Sequence, residues 1–324
     1  MYEKLTAFIG RHDLYVLTTH DAADADGLGA ELVFAYILKE KGKQFRIINA
    51  NPVPEQFKFM DPRGIVECWD EEQHRTLPEQ AGLLMLDTAD LHNTGQMREI
   101  ICRAKDVFVV DHHEFSENSV FPGLYDSTSA STCELVMEFV RESGVSLDPE
   151  TALAAYTGII YDTGFFAYQK TGARTFRAAL SLLDMGVSPC EAYHHLCETK
   201  STASLLLQKK ALASLTLHCD NRVALQILRQ SDFDEAAALP EDTHGLVNIP
   251  LKAKNILVSL LFKEASDGKI RCSLRSKGNI NVAKMAQSLG GGGHINASGF
   301  KSKLDIDKTI ALALAMVARH LEKA

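Results

Sequence analysis

Three short apolar runs in this chain end alike. "LYVLTTH" (14–20) closes on a histidine, "GLLMLDTAD" (82–90) on aspartates and "DVFVVDHH" (106–113) on Asp-His-His. Continuous apolar runs of this length read as strands buried on both faces. Helical spacing separates them. In "GLGAELVFAYILKEKG" (27–42), Leu28, Leu32 and Tyr36 share one stripe and Gly42 ends it; a further helical segment lies around 95–104. "QFRIINA" (44–50) adds another strand. Strands that alternate with helices leave few folds open, and the expectation is a doubly wound, mainly parallel sheet. In such sheets the carboxyl ends of neighbouring strands meet at one crevice. Residues far apart in the chain therefore converge, and here they are carboxylates and imidazoles.

From about 131 to 215 the pattern is mostly helical, through "STCELVMEFVRESG", "PETALAAYTGIIYDTG" and "TFRAALSLLDMG". Strands return near 220 with "RVALQIL", "ILVSLLF" and "KIRCSLRS", followed by a helix near 281–289, the run Gly290–Gly293 and a terminal helix near 305–322. The fold class is α/β, in three parts. A first domain spans 1–190, a helical linker 191–215, and a smaller α/β domain 216–324.

His20, Asp24 and Asp26 follow the first strand, Asp87 the second, and Asp111, His112 and His113 the third; Asp162 joins them from the helical "GIIYDTGFF". Four of these aspartates and two of the histidines facing one another would be destabilised by like-charge repulsion, and divalent cations resolve this. Carboxylate oxygens mixed with imidazole suit Mn²⁺ or Mg²⁺ better than a thiolate metal. Six ligands are too many for one open catalytic ion and fit two ions, ~3.5–4 Å apart, sharing a carboxylate. Taken singly, some of these residues have plainer readings. Asp26 serves equally well as a helix N-cap, Asp111 as a strand-end turn residue, and Asp21 as a solvated loop residue. His194 and His195 sit in a helix away from any acidic strand end and read as surface or packing residues, as do the remaining histidines.

Composition narrows the setting. Hydrophobic residues are 46% of the chain, as in globular proteins. No apolar stretch approaches the ~20 residues needed to span a bilayer. The start, "MYEKLTAFIGRHD", carries charges inside its apolar run and does not read as a signal peptide. Seven scattered cysteines without a Cys-x-x-Cys point to reduced thiols and a cytoplasmic location. Residues 1–215 hold 19 Lys/Arg against 31 Asp/Glu, whereas 216–324 hold 15 against 11. The acidic front suits bound cations, and the mildly basic back suits an anionic substrate.

These residues resemble the DHH phosphoesterase family over nearly the whole chain. The front half is similar through "HDAADADGLGA", "LLMLDTAD", "VVDHHEFSE", "STSASTCELV" and "GIIYDTGFF", and the back half resembles the DHH-associated domain through "CSLRSKGNINVAKMAQSLGGGGHINASGF". The length resembles the nano-RNase and pAp-phosphatase branch, without room for the extra domains of RecJ-type exonucleases. The resemblance implies one cation held by His20, Asp24 and Asp87, and another by Asp26, Asp87, His112 and Asp162, with Asp87 bridging. Asp111 is implied to support His112, and His113 to point at the scissile phosphate. Two departures stand out. Ala22-Ala23 replaces a Pro or Asn common before the first loop aspartate, and "LHNTG" stands where the family often has an Arg after "DTAD". An auxiliary phosphate contact is therefore missing or supplied elsewhere.

The implied reaction is phosphoester hydrolysis with two divalent cations, Mn²⁺ ahead of Mg²⁺, and with His113 and Asp111 as the catalytic protein groups. Gly291, Gly292 and Gly293 lack side chains, so a phosphate can approach their amides. His294, Arg275 and Ser276 complete the expected substrate contacts, because Arg grips phosphate bidentately. Short oligonucleotides are the expected substrate, with pAp as a further one. A phosphodiesterase for cyclic dinucleotides or linear pApA-type products is the alternative. No membrane is involved, and a homodimer is compatible with the resemblance.

Overall fold

Alternate residues of the central strands in the first half of the chain enter two different cores. The computed structural model describes residues 2–74, 80–114, 120–265 and 267–321, in two units, Met1–Thr199 and Lys200–Ala324. The first unit opens with α1 (Glu3–Arg11), β1 (Leu14–Thr18), α2 (Ala25–Glu40), β2 (Gln44–Asn49), β3 (Val66–Cys68), α3 (Glu71–His74) and β4 (Gly82–Leu86). It continues with α4 (Arg98–Arg103), β5 (Asp106–Asp111), β6 (Gly123–Tyr125), α5 (Thr132–Ser143), α6 (Pro149–Asp162), α7 (Ala173–Asp184) and α8 (Pro189–Cys197). Its six strands run parallel in the order β3-β2-β1-β4-β5-β6.

Tyr15, Leu17, Leu84, Leu86, Phe108 and Val110 face one core with residues of α1, α2, α5 and α6. Val16, Leu83, Met85, Val107 and Val109 face the other with Ile100 and Ile101 of α4. Burying both faces explains why these strands are apolar without alternation. Each fully buried large side chain, such as Phe34 or Leu17, contributes roughly 1.5–3 kcal/mol of transfer free energy. The strand order reverses between β1 and β4, the place where such sheets form their crevice. A close packing of α2 on α6 feeds the same place. A Cβ on Gly29 would come within 2.7 Å of the Ala154 carbonyl oxygen, and one on Gly158 within 2.9 Å of that of Ala25. Only glycine lets these backbones touch, and the contact brings the start of α2 to the end of α6.

The second unit comprises α9 (Thr202–Ala213), β7 (Thr216–His218), β8 (Val223–Leu228), α10 (Gln230–Ala236), β9 (Val258–Glu264), β10 (Ile270–Ser276), α11 (Val282–Gln287), β11 (Gly292–His294), β12 (Ala297–Ser302) and α12 (Ile306–Leu321). Its strands order as β11-β12-β10-β9-β8-β7 and pair antiparallel except for the parallel pair β8–β9. One face packs Leu225, Leu260, Phe262, Leu274 and Phe300 against α11 and α12. Part of the other face, at Leu228 and Leu261, packs with residues of α9 and α10. The stretch 191–215, expected as a linker, is divided: α8 belongs to the first unit and α9 to the second. Among the described residues no helix is long and apolar enough to cross a membrane.

Candidate active site

The polar crowding begins just after β1. Asp24 is the N-cap of α2, its carboxylate accepting from the amides of Asp26 at 2.9 Å and Gly27 at 3.2 Å. The capping role that the sequence left open for Asp26 thus falls to Asp24. Asp26 is fully buried, and its oxygens accept from the first amides of α5, Thr132 at 2.6 Å and Cys133 at 2.9 Å. A helix N-terminus favours a carboxylate there. Thr132 Oγ1 also donates to Asp87 at 2.9 Å. Asp87 follows β4 with a left-handed backbone, φ 59°, uncommon for any residue but glycine and typical of strain kept at functional sites. Asp162 is the last residue of α6.

Three overlapping groups of ligand-type atoms form among the described residues: His20–Asp24–Asp87, Asp26–His112–Asp162 and Asp87–His112–His113, each with one atom per residue within 4.8 Å of the others. The first two comprise the residues expected to hold cations. His20 Nε2 lies 3.8 Å from Asp24 and 3.6 Å from Asp87. His112 Nε2 lies 3.1 Å from Asp162, 3.5 Å from Asp87 and 3.9 Å from Asp26. Asp87 thus reaches both groups, one oxygen toward each imidazole. All six residues expected to hold cations are brought together.

The electrostatics show the strain of this arrangement. Burial would lower the His20 imidazole, but Asp24 and Asp87 outweigh it and lift it to about 10. Burial likewise opposes His112, which Asp162, Asp26 and Asp87 lift to about 9. Burial, then the charges of Asp87 and Asp162, push Asp26 well above the carboxylate range. Asp87 is raised by burial, with the His20 hydrogen bond opposing. Among the described residues His112 Nε2 is buried without a hydrogen-bond partner, while its Nδ1 sits 3.4 Å from the Ser129 carbonyl. A buried ring nitrogen aimed among carboxylates, with its other nitrogen at a backbone oxygen, is what a metal-binding imidazole looks like. The donor set of carboxylates and imidazoles fits divalent cations.

One expectation changes. Asp111 does not bond His112; it accepts from the His113 amide at 3.1 Å and holds His113 Nδ1 at 2.8 Å. Adjacent side chains diverge, so His112 turns inward to a buried position and His113 stays exposed. A cavity of about 380 Å³ is lined by His20, Asp24, Asp87, Asp111, His113 and Asp162, and also by Asp21. Asp21 is exposed, as expected of a loop residue. His194 pairs with Glu198 at 2.8 Å and His195 stacks on Phe59 at 4.1 Å, both plain roles. Residues 115–117 of "VVDHHEFSE" lie outside the described residues. Thr132 and Cys133 are the contributors that side-chain motifs missed. Their signal is the cap: Ser131 followed by Glu134, with Ser131 Oγ accepting from the Glu134 amide at 3.0 Å.

In the second unit, register puts Arg275 opposite Ala297, and Ala297 opposite His294, so Arg275 and His294 share one row of the sheet. Ser276 differs from the expectation. It is buried, donates to the Ile280 carbonyl at 2.6 Å and accepts from Asn296 at 3.0 Å, so its hydroxyl braces a turn. The glycines also divide. A Cβ on Gly291 would meet the Gly299 oxygen at 2.1 Å, and one on Gly293, φ 138°, the Ala297 oxygen at 2.5 Å. These two are glycine because β12 is in the way. Gly292 faces open space.

A parallel sheet whose switch point gathers two adjoining His–carboxylate groups belongs to the class of metal-dependent phosphoesterases. Residues 15–159 match the DHH family, N-terminal domain, and residues 222–323 match the DHHA1 domain. The chain thus carries a DHH domain and a DHHA1 domain. A protein of Thermus thermophilus named bifunctional oligoribonuclease and PAP phosphatase NrnA is 27% identical over 95% of this chain and 90% of its own. The Bacillus subtilis protein of the same name is 26% identical, with 92% of each chain covered. A crystal structure of an exopolyphosphatase-related protein from Bacteroides fragilis superposes with a TM-score of 0.80 at 26% identity, covering 99% of this chain and 95% of that one.

Proposed function

We propose that the chain is a two-metal phosphodiesterase that hydrolyses short oligonucleotides and also removes phosphate from pAp. The observation that carries this is the adjoining pair of groups, His20–Asp24–Asp87 and Asp26–His112–Asp162, with Asp87 in reach of both. Divalent cations there would lower the pKa of the attacking water and offset charge on the phosphoryl oxygens. The rest is positioning by this chain. The α5 amides and Thr132 Oγ1 orient Asp26 and Asp87. Asp111 engages His113 Nδ1, which leaves Nε2 as the ring atom that reaches a scissile phosphate or protonates the leaving oxygen. Arg275 and His294 supply the grip on a nucleotide phosphate. Two imidazoles in the donor set favour Mn²⁺ over Mg²⁺. The names of the Thermus and Bacillus relatives support the substrate class.

The test is kcat/KM with Mn²⁺ for a ladder of 5′-phosphorylated oligoribonucleotides, from two to about twenty-four residues, with pAp alongside. Values should be highest for the shortest substrates, of roughly two to five residues, and fall beyond that, because among the described residues no extended groove of stacked aromatics, each worth ~1–3 kcal/mol per base, rewards a long strand. Values that keep rising beyond roughly five residues contradict the proposal. A negligible ladder with rapid turnover of cyclic dinucleotides transfers the site to that substrate. The same reading includes a homodimer and a cytoplasmic location. The unpaired thiols support the second, and sedimentation of the pure chain at twice its mass tests the first.

A further inference from the structure

One face of the second unit's sheet carries three cations side by side. Register sets Lys263 of β9 opposite Arg271 of β10, and Arg271 opposite Lys301 of β12. Three successive strands therefore present positive charge to one face in a single cross-strand row. Like charges directly opposite one another destabilise a sheet. The acids near the row are engaged elsewhere. Glu264 holds Arg229 at 3.2 Å and the Gln230 amide at 3.1 Å, and Asp267, which also feels Arg271, holds Lys269 at 3.0 Å. Lys263 is half-buried and donates to the Thr243 hydroxyl at 2.9 Å. Burial, then the neighbouring Arg271, push its ammonium below the ordinary lysine range. A cavity of about 180 Å³ has Lys263 and Arg271 in its wall, beside Phe233, Ala238 and Pro240.

Four residues along β10, on the same face, lies the row that contains Arg275 and His294. Between the two rows come Ser273, Gly299 and Gly292, whose side chains are small or absent. At ~3.4 Å of rise per residue the cationic rows are roughly 14 Å apart along the strand. On β10, β12 and β11 nothing bulky stands between them, while on β9 the intervening Leu261 is buried against α9 and α10. A row of like charges kept at a cost to the sheet, beside a cavity and in line with the other grip, is arranged for a polyanion.

We propose that Lys263, Arg271 and Lys301 form a second phosphate subsite, which takes a backbone phosphate of an oligonucleotide whose end is held at Arg275 and His294. This rests on the oligonucleotide reading above. It adds that the chain measures its substrate by phosphates at two rows of one sheet face. Substrates too short to span both rows use only the first.

The test is the double variant Arg271→Gln/Lys301→Gln. Both residues are exposed, and removing opposed charges should leave Tm equal to or above that of the unaltered protein. The probe is 5′-fluorescein-labelled tetraadenylate, bound in EDTA and followed by anisotropy, with turnover of the dinucleotide, the tetranucleotide and bis(p-nitrophenyl) phosphate measured in Mn²⁺. Expected are tetraadenylate binding weakened about tenfold and a log–log salt slope shallower by about 1.4 for two lost contacts. Dinucleotide and bis(p-nitrophenyl) phosphate turnover should stay within about twofold, well under one contact's worth. Unchanged tetraadenylate binding, equal losses on both lengths, or no binding by the unaltered protein overturns the subsite. Salt-dependent binding that the variant weakens, without hydrolysis of any oligonucleotide, upholds the subsite and removes the functional reading. Hydrolysis that the variant leaves untouched does the reverse.

Discussion

The two sheets handle charge in opposite ways. In the first unit, parallel strands aim their ends at one crevice, and the acids there are buried: Asp26 and Asp87 are at most 2% exposed. In the second unit, mainly antiparallel strands lay polar residues in rows across one face, with Arg271 and Lys301 exposed. Convergence at strand ends concentrates charge until it needs a cation. Spreading along a face spaces charge to meet an extended anion. On the proposed function, chemistry falls to the first unit and grip to the second, and that division can be broken experimentally.

The largest expected effect is at Asp87. Asparagine tolerates the left-handed backbone and keeps the side-chain shape, so Asp87→Asn removes charge without removing the turn. Turnover of every phosphodiester should fall about a thousandfold, ~4 kcal/mol of transition-state stabilisation, with unfolding still cooperative. A loss confined to oligonucleotides would move Asp87 from chemistry to grip.

Next is Glu31, a fully buried carboxyl on α2. Burial lifts it from 4.5 to about 8 although Asn49 Nδ2 donates to it at 2.9 Å. Between those two values the unfolded chain releases a proton that the folded chain keeps. Stability attributable to this group therefore falls as pH rises from about 4.5 to about 8, then levels off. Glu31→Gln removes that slope and should gain on the order of 3 kcal/mol over the unaltered protein across the window. Denaturant unfolding at several pH values reads the difference. Two parallel stability curves would show that the first unit tolerates this buried charge at no cost, against the contrast drawn here.

The smallest effect sharpens the comparison from the other side. Arg275→Ala or His294→Ala should lower kcat/KM for oligonucleotides about tenfold, ~1.4 kcal/mol, and leave bis(p-nitrophenyl) phosphate nearly unaffected. Equal losses on both substrates would place these residues in the chemistry.

Much of the first unit is readable in its sequence because each central strand is an apolar run punctuated by a ligand-type residue. His20, Asp87 and the pair His112–His113 announce both the strand ends and the site. Edge strands give no such signal: β3 and β6 are three residues each, too short for any period to show. In the second unit, β12 hides in "ASGFKS", where glycine and serine read as loop although both neighbouring strands pair with it. The partner of Asp111 is not legible because consecutive residues at a strand end point apart, and a triplet written Asp-His-His does not say which histidine turns back. The α5 amides that hold Asp26 are backbone groups, which no side-chain motif displays.

The central claim is that the first unit holds two divalent cations through one shared carboxylate. Calorimetric titration of the metal-stripped chain with Mn²⁺ tests it most directly, with Asp87→Asn and Asp162→Asn in parallel. The account predicts two ions per chain for the unaltered protein, loss of both high-affinity sites in Asp87→Asn because that carboxylate serves both groups, and one retained site in Asp162→Asn. A single site in the unaltered protein, or two sites that survive Asp87→Asn, would contradict it.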